Sequence, residues 1–239
     1  IHAIIARHYL YGGYYPVGGA SRMAATIIPV IQQSGGDVFT YADVQEILIE
    51  NGRATGLRLA DDHTVRAPLI ISDAGVFNTF GELLPEHSPH RRHSQQNPET
   101  VERSMASACL YIGLKGDAAD LRLPKTNLWI YPDSHYQQQI DQALADPDHH
   151  DIPLTYISFP SAKDPDFTRR YPGRATIEIV AAAPYHWFQS WADTPWGKRG
   201  DDYEALKEKF AQRLLEKLFE KMPHLREHLD YYELSTPLS

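Results

Sequence analysis

The stretch VQEILIENGRATGLRLADDHT, residues 44–64, alternates apolar and polar residues on both sides of an Asn-Gly pair. A period of two is typical of strands with one buried face, and Asn51-Gly52 is the dipeptide that favours a tight hairpin turn. DDHT marks a second turn, and VRAPLIIS (65–72) follows as a run apolar enough for a strand buried on both faces. The stretch therefore predicts a β-meander that leads into a buried strand.

A helix is expected upstream of this meander, in SRMAATIIPVIQQSGG, residues 21–36. Its apolar residues recur at the spacing of one helical face. These residues are Met23, Ile27, Ile28 and Ile31. The glycines at its end supply a stop, whereas Pro29 predicts a kink or a helix shorter than the pattern. A helix, a meander and a buried strand suit an α/β or an α+β domain.

A second sheet is predicted downstream of Gly75 from four evenly spaced apolar segments. They are SMASACLYIGL, NLWIYP, LTYISFP and ATIEIVAAAP. Residues 202–222 then form a strongly amphipathic helix, because its apolar residues lie four positions apart. They are Leu206, Phe210, Leu214 and Leu218, and Pro223 marks the end of the helix.

Composition excludes several classes of function. The chain has 239 residues, 42% of them hydrophobic, so it can bury a core. Its net charge of -8 argues against nucleic acid as a partner. The single cysteine, Cys109, excludes an intrachain disulfide. No apolar run reaches the roughly 20 residues that span a bilayer. We expect a cytoplasmic or peripheral membrane location. We also interpret the chain, which starts without Met, as a fragment or a processed product.

Two histidine clusters are candidates for a metal site, but their sequence context favours solvated loops. The first is HSPHRRH, residues 87–93, and the second is DPDHHD, residues 146–151. Neither has the ligand spacing of a helical or finger-type zinc site, and both lie in polar, turn-rich segments. A hydrolase is not supported either, since the sequence contains no G-x-S-x-G.

Glycines and aromatic residues supply the candidate binding features. Gly18-Gly19, before the helix, fits either a tight turn or an anion site at a helix N-terminus. The aromatic segments fit either plain core or one long apolar pocket with a few polar tips. Their residues are Tyr14, Tyr15, Trp129, Tyr131, Tyr185, Trp187 and Phe188.

Taken together, these segments resemble one family over nearly the whole chain. YYPVGGASRMAATIIPVIQQSGG with the meander and ISDAG is similar to the central block of the phytoene desaturase, carotenoid isomerase and retinol saturase group. Asp73 stands where that family usually has Asn. The later segments NLWIYPDSHY, YISFPSAKDPDFTRRYPGRAT and APYHWFQSWADTPWGKRGDDYEALKEKF favour the retinol saturase branch.

The resemblance implies an α+β fold of the FAD-linked oxidoreductase type. Residues 1–35 then form a glycine- and aromatic-rich segment with a helix at the substrate side. Residues 36–75 form part of an FAD-binding domain as a β-meander, and residues 76–239 form a substrate-binding domain with a mixed sheet and flanking helices. By position, Val44, Ala74 and Gly75 contact FAD.

The resemblance also implies a substrate and the residues that bind it. The substrate is a polyene or isoprenoid lipid, and NAD(P)H is a candidate electron donor. The expected substrate-binding residues are Tyr14, Tyr15, Gly18, Gly19, Trp129, Tyr131, Tyr185 and Trp187.

The sequence lacks the G-x-G-x-x-G that holds the pyrophosphate of a dinucleotide. We therefore expect this chain alone to bind FAD weakly or not at all and to be inactive, and we assign no catalytic acid or base. The leading hypothesis is part of an enzyme that saturates, desaturates or isomerises a polyene. The alternative is a non-catalytic lipid-binding or interaction module. Peripheral membrane contact stays open.

Overall fold

A computed structural model of the chain describes residues 7, 9–91, 106–131, 135–145, 152 and 154–239. The described residues divide into two compact units. One, the meander unit, lies within residues 28–104. The other, the sheet unit, combines residues from 1–27 with residues from 105–239. The α+β class is confirmed, since the chain contains two antiparallel sheets together with helices.

The meander unit contains a three-stranded antiparallel sheet in the order β1-β2-β3. The strands are β1 (Val44–Glu50), β2 (Arg53–Leu59) and β3 (Thr64–Arg66). The turn between β1 and β2 places Asn51 and Gly52 at φ 51° and 76°. Two consecutive positive φ values are the geometry that Asn-Gly adopts most readily, so the predicted hairpin is confirmed.

The strand predicted after the meander is wrong. Only Thr64–Arg66 pairs with β2, and the apolar residues that follow are exposed: Leu69 by 71% and Ile71 by 86%. A doubly buried strand needs hydrogen-bonded neighbours on both sides and cover on both faces. Within the described residues no strand lies beside 67–72. A π-helical segment, Asn78–Leu83, comes next.

The predicted upstream helix is present as α1, Ser21–Gln33. It continues through Pro29 and ends where the N–H groups of Gly35 and Gly36 donate to the carbonyls of Gln32 and Ile31. Gly35 has φ 83°, as expected for a glycine that terminates a helix. None of the helix residues is buried, and Val30 is 61% exposed. The apolar face that predicted the helix therefore remains exposed to solvent.

The sheet unit contains five strands in the order β5-β6-β7-β4-β8. They are β4 (Ser107–Lys115), β5 (Leu128–Ile130), β6 (Thr155–Ser158), β7 (Arg174–Ala182) and β8 (Leu229–Ser235). Every neighbouring pair is antiparallel, so the expectation of a mixed sheet is wrong in this respect. Alternation of apolar residues shows which face of a strand is buried but does not encode its direction.

One face of this sheet packs on helix α5, Asp201–Lys221, which has buried residues along its length. Alternate residues of the two central strands meet it. They are Ala108, Leu110, Ile112 and Leu114 of β4, with Ala175, Ile177, Ile179 and Ala181 of β7. Burial of each leucine or isoleucine side chain stabilises the fold by about 1.5–3 kcal/mol. Because these side chains occupy alternate positions, their burial fixes which face of each strand points to the core.

The sheet unit also contains shorter helices. They are α2 (Tyr136–Ala145), α3 (Pro160–Lys163) and α4 (Phe167–Arg170), with 3-10 turns at Tyr9–Tyr11, Tyr185–Trp187, Gln189–Trp191 and Pro223–His228. The last turn starts at Pro223, as predicted for the residue that ends the long helix.

Gly56→Ala should destabilise the meander. A Cβ at Gly56 would lie 2.4 Å from the Val65 carbonyl oxygen, a backbone atom of the neighbouring strand. Because that oxygen cannot move without distorting β3, we expect the free energy of unfolding to fall by about 1–3 kcal/mol. At Gly81 an added Cβ meets no atom within 4 Å, so Gly81→Ala serves as the control. Urea unfolding compares the two, and equal losses would contradict the explanation.

Candidate functional site on the open face of the five-stranded sheet

The face of the five-stranded sheet opposite α5 carries exposed and half-buried side chains, and we call it the open face. The cross-strand register brings alternate residues of all five strands to it. They include Cys109 and Tyr111 of β4, Trp129 of β5, Tyr156 of β6, Glu178 and Val180 of β7, and Tyr231 and Glu233 of β8. An exposed sheet face this rich in aromatic residues is typical of a binding surface rather than of plain solvent-facing strands.

Trp129 and Tyr156 form the aromatic end of the open face. They are directly opposite each other on neighbouring strands, with ring centroids 4.7 Å apart and planes tilted by 58°. Trp129 is 50% exposed, Tyr111 48% and Tyr231 61%. Aromatic side chains offer large apolar contact area at a low conformational-entropy cost. The face can therefore bind an extended apolar molecule along the strands.

The glycine pair of the segment Tyr14–Gly19 forms a tight turn. The Gly19 N–H donates to the Pro16 carbonyl at 3.0 Å, and Gly18, the third residue of this turn, has φ 95°. That conformation favours glycine. The Gly18 N–H donates to Asp164 Oδ1 at 3.0 Å. Of the two sequence interpretations, the tight turn is therefore observed. The Gly18 N–H is hydrogen-bonded to a carboxylate of the protein itself.

Asp164 anchors this turn to the sheet unit. Its side chain is 1% exposed, accepts a second N–H from Asp166 at 3.0 Å, and pairs with the Arg170 guanidinium. Burial by itself raises the pKa of this carboxyl, but the Gly18 and Asp166 N–H groups and Arg170 lower it below its ordinary value. The Arg170 guanidinium also lies over the Tyr171 ring, 5.2 Å from its centroid. The carboxylate is thus buried, charged and fully engaged.

Tyr15 extends from the anchored turn towards the open face. Burial raises the pKa of its phenol, and the carboxylates of Glu178 and Asp164 raise it further against the opposing charge of Arg170. The phenol therefore stays protonated at neutral pH. Tyr14, next to it in the chain, is instead 94% exposed.

A group of polar residues, which we call the polar cluster, adjoins Tyr15: Asn127, Ser158, Lys163 and Glu178. Ser158 and Glu178 are cross-strand partners on β6 and β7. Lys163 Nζ donates to Ser158 Oγ at 2.7 Å and to Asn127 Oδ1. Burial lowers the pKa of Lys163, and the charge of Glu178 partly opposes that shift.

Cys109 lies on the same face as the polar cluster. Burial raises the pKa of its thiol, a hydrogen bond with Tyr111 opposes the shift, and the charge of Glu178 adds to it. The raised pKa keeps the thiol protonated, and the thiol is a weaker nucleophile than the thiolate.

The structure separates the aromatic residues that the sequence groups in one pocket. Trp187 packs on Phe210 of α5, with ring centroids 6.2 Å apart, and Phe188 is 1% exposed within the core. Both therefore lie on the α5 side of the sheet, opposite Trp129. Tyr185 begins the turn that holds Trp187, and Tyr131 directly follows β5 with 43% exposure. One sheet face thus holds Trp129, and the other holds Trp187.

The residues predicted to contact FAD all lie in the meander unit. Val44 begins β1, an edge strand of the three-stranded sheet. Gly75 has φ 83° with open space around its Cα, and Ala74 beside it is exposed. β1 contacts the π-helical segment that follows Gly75. The contact of these three residues with FAD stays a prediction, and the sequence contains no glycine fingerprint for the pyrophosphate.

A cavity of about 530 Å³ lies elsewhere in the meander unit. It is lined by the turn between β1 and β2 together with residues 66–68, and an ion pair joins Glu50 to Arg66 there. None of the predicted site residues lines it.

Metal-binding and membrane-spanning features are absent from the described part of the chain. Within it, no group of three or more His, Cys, Asp or Glu side chains is arranged to hold a metal ion. His93, His149 and His150 lie outside the described residues. No described helix has the length and apolar character needed to cross a bilayer.

Several functional candidates were missed by sequence reasoning, namely Glu178, Lys163 and Asp164. Glu178 interrupts an otherwise apolar strand, and Lys163 and Asp164 begin a KDPD turn sequence. A charged residue inside an apolar run and a turn signal next to a predicted strand are the signals that point to them.

Asp164→Ala should release the Tyr15 segment. It removes a buried partner from Gly18, Asp166 and Arg170 together, so we expect the free energy of unfolding to fall by about 3 kcal/mol. Glu216→Ala is the control, since Glu216 pairs with the 57% exposed Arg226 and such exposed pairs contribute up to about 1 kcal/mol. Urea unfolding and hydrogen exchange at the Gly18 amide measure both. Unchanged Gly18 exchange in Asp164→Ala would contradict the anchoring role.

The anchor also has a defined pH dependence. Because the folded-state pKa of Asp164 is lowered, its stabilisation is fully present above the unfolded pKa of about 4 and is lost as the pH falls through the lower folded value. The difference between wild type and Asp164→Ala should therefore shrink only in strong acid.

Comparison with known proteins confirms the family resemblance. The chain is 36% identical to human all-trans-retinol 13,14-reductase, covering 100% of this chain and 40% of that protein. It is 28% identical to a neurosporene-forming phytoene desaturase of Cereibacter sphaeroides, covering 95% of this chain and 41% of the relative. It is 29% identical to the chloroplastic prolycopene isomerase of Arabidopsis thaliana, covering 95% and 35%. The chain thus spans about two fifths of the length of the curated relatives it matches. No family model matches it.

The fold is likewise similar to that of a solved oxidoreductase. An oxidoreductase from Methanosarcina mazei superposes with a TM-score of 0.61 at 20% identity, covering 93% of this chain and 43% of the other. At that identity the likeness concerns the fold. The chain is thus similar in sequence to all-trans-retinol 13,14-reductases, phytoene desaturases and prolycopene isomerases, and similar in fold to a solved oxidoreductase.

Proposed function

We propose that the protein containing this chain is a flavin-dependent oxidoreductase acting on carbon–carbon double bonds of a polyene or isoprenoid lipid, with saturation as its reaction. The observation that carries the proposal is the open face, where aromatic side chains from four strands surround a small polar cluster. A long conjugated lipid presents apolar edges along its whole length, and aromatic surfaces complement them. Similarity to all-trans-retinol 13,14-reductase, phytoene desaturase and prolycopene isomerase supports the same substrate class.

The open face supplies one wall of the substrate site in this proposal. Trp129 and Tyr156 bind the chain of the lipid at one end, and Tyr15 borders the other end beside Glu178. Gly18 and Gly19 act indirectly, because their turn holds Tyr15 in position through Asp164. The roles assigned to Tyr14, Tyr131, Tyr185 and Trp187 stay predictions.

The flavin would contribute the redox chemistry, since a reduced flavin gives hydride to a polarised or conjugated double bond. Val44, Ala74 and Gly75 would contact its adenine end through their backbone. The remaining contacts, above all those to the pyrophosphate, must come from a glycine-rich segment of the kind that this sequence lacks. The chain's own task is to bind and orient the lipid, to exclude water, and to manage a proton.

Peripheral membrane contact follows from the proposed substrate, because a polyene lipid partitions into bilayers. The sequence has no basic cluster for anionic lipid at a net charge of -8. Any such contact would therefore rest on apolar side chains.

The full-length protein should add two hydrogens to a polyene alcohol. It is incubated anaerobically with FAD, dithionite or NADPH, and all-trans-retinol, and the product is analysed by mass spectrometry. We expect a product two mass units heavier, because one double bond gains a hydride and a proton. An isomerase would instead return a product of unchanged mass and altered retention. Binding of the lipid without any product would favour the non-catalytic module.

The 239-residue chain by itself should not bind FAD with measurable saturation. The reason is that a dinucleotide needs several backbone N–H groups at its pyrophosphate, and only adenine-end positions are available here. Flavin fluorescence and the visible spectrum are recorded during a titration, with the full-length protein as the positive control. Tight binding and a shifted spectrum with the short chain would contradict this division of the flavin site.

A further inference from the structure

We propose that Lys163 is the proton donor of the open face, delivering a proton from Nζ to one carbon of the reacting double bond. This inference rests on the proposed function, and it assigns the acid that a saturation reaction requires.

The helix that carries Lys163 is locked onto the edge of β7. Ser161 Oγ accepts the Thr176 N–H at 2.9 Å and donates to the Thr176 carbonyl at 3.1 Å. Strand β6 ends at Ser158, so it has no residue opposite Thr176 of β7. Ser161 Oγ hydrogen-bonds the N–H and the carbonyl of Thr176 instead. α3 is thereby held at a fixed position beside the open face, and Lys163 at its end has little freedom.

The ammonium of Lys163 uses part of its donor capacity within the protein. It has three N–H groups. One is engaged by Ser158 Oγ, a neighbour of Glu178 across the strands, and another by Asn127 Oδ1. A third N–H is left over by these two hydrogen bonds. A fixed, half-buried ammonium with a spare donor beside an aromatic surface is suited to donate a proton to a bound apolar ligand.

The electrostatic surroundings favour proton release. Burial lowers the pKa of Lys163, which moves it towards the working pH, where general acids are most effective. Glu178 is the charged group that faces Lys163 from β7. Asp164, its neighbour in the chain, has its carboxylate engaged by two N–H groups and Arg170. The polar groups facing it from the other elements, Ser158 and Asn127, are uncharged.

The other titratable groups near the open face are less suited to this role. Tyr15 and Cys109 both have raised pKa values, caused first by burial, so each releases its proton less readily than usual. Glu178 is itself part of the polar cluster, and its carboxylate can relay a proton from solvent to Lys163.

A reduced flavin would supply a hydride to one carbon of the double bond, and the proton of Lys163 Nζ bonds to the other carbon. The π bond is lost, the lipid gains one hydride and one proton, the two electrons would come from the flavin, and Lys163 is left as a neutral amine. Glu178 and solvent then restore its proton.

Kinetics of the full-length protein test the assignment. In Lys163→Met we expect kcat for polyene reduction to fall about 100- to 10,000-fold, the usual contribution of a general acid, with KM changed less than about twofold. Lys163→Arg keeps the charge but donates poorly because its pKa is above about 12, so its kcat should also fall. In wild type kcat should decrease as the pH rises through the Lys163 pKa, and Lys163→Arg should lose that limb. Lys198→Met, an exposed lysine, is the control and should leave kcat and KM unchanged.

A second measurement follows the titration of Lys163 independently of enzymatic activity. Reductive 13C-methylation followed by NMR titration of the full-length protein, with Lys163→Arg to assign the signal, should show Lys163 titrating at lower pH than the exposed lysines. Intact folding of the variants is confirmed by thermal unfolding.

Each outcome discriminates between explanations. Unchanged kcat in Lys163→Met, while wild type reduces the polyene, would overturn the proton-donor role. So would a raised KM with unchanged kcat, which identifies a residue that binds a polar end of the lipid. An ordinary titration of Lys163 overturns the role as well. If wild type reduces no polyene although Lys163 titrates early, the proposed function itself fails.

Discussion

The packing of α5 on one face of the five-stranded sheet is the interaction on which the rest of the structure depends. It buries the alternate leucines and isoleucines of β4 and β7 and thereby commits every other residue of those strands to the opposite face. Because a strand has a period of two, Glu178 cannot join the core once Ile177 and Ile179 are in it, and Cys109 cannot join it once Ala108 and Leu110 are. The chemical character of the open face is a direct consequence of hydrophobic burial on its reverse side.

A buried carboxylate then connects the glycine-rich segment to this sheet. Asp164 is 146 residues from Gly18 in the chain, yet it accepts the Gly18 N–H and the charge of Arg170 with almost no exposure to solvent. Charges are costly to bury unless they are paired and hydrogen-bonded, and here both conditions are met. The result is that Tyr15 is held close to Glu178, although residues 9–19 around it form a short 3-10 turn and a tight turn rather than a strand of the sheet.

Local sequence patterns predicted the secondary structure correctly where neighbouring residues decide it. Asn51-Gly52 specified the hairpin through its φ values, and Pro223 marked the end of α5, because both effects act within a few residues. The prediction of a buried strand at residues 65–72 was wrong, because apolar content alone does not show whether partner strands lie on either side. Strand direction in the second sheet was equally hidden, because alternation reports the buried face and carries no information on orientation.

For the site, the sequence by itself determined the family resemblance, the set of aromatic residues and the absence of a dinucleotide fingerprint, since each is carried by residue identity and spacing. It could not sort the aromatic residues, because the separation of Trp129 from Trp187 depends on which side of a sheet each one packs. Nor could it find the polar cluster. Lys163, Ser158 and Asn127 meet through contacts between a short helix, a strand and a loop, up to 36 residues apart. Only tertiary packing decides such distances, because the free energy that fixes them comes from the core on the other face of the sheet.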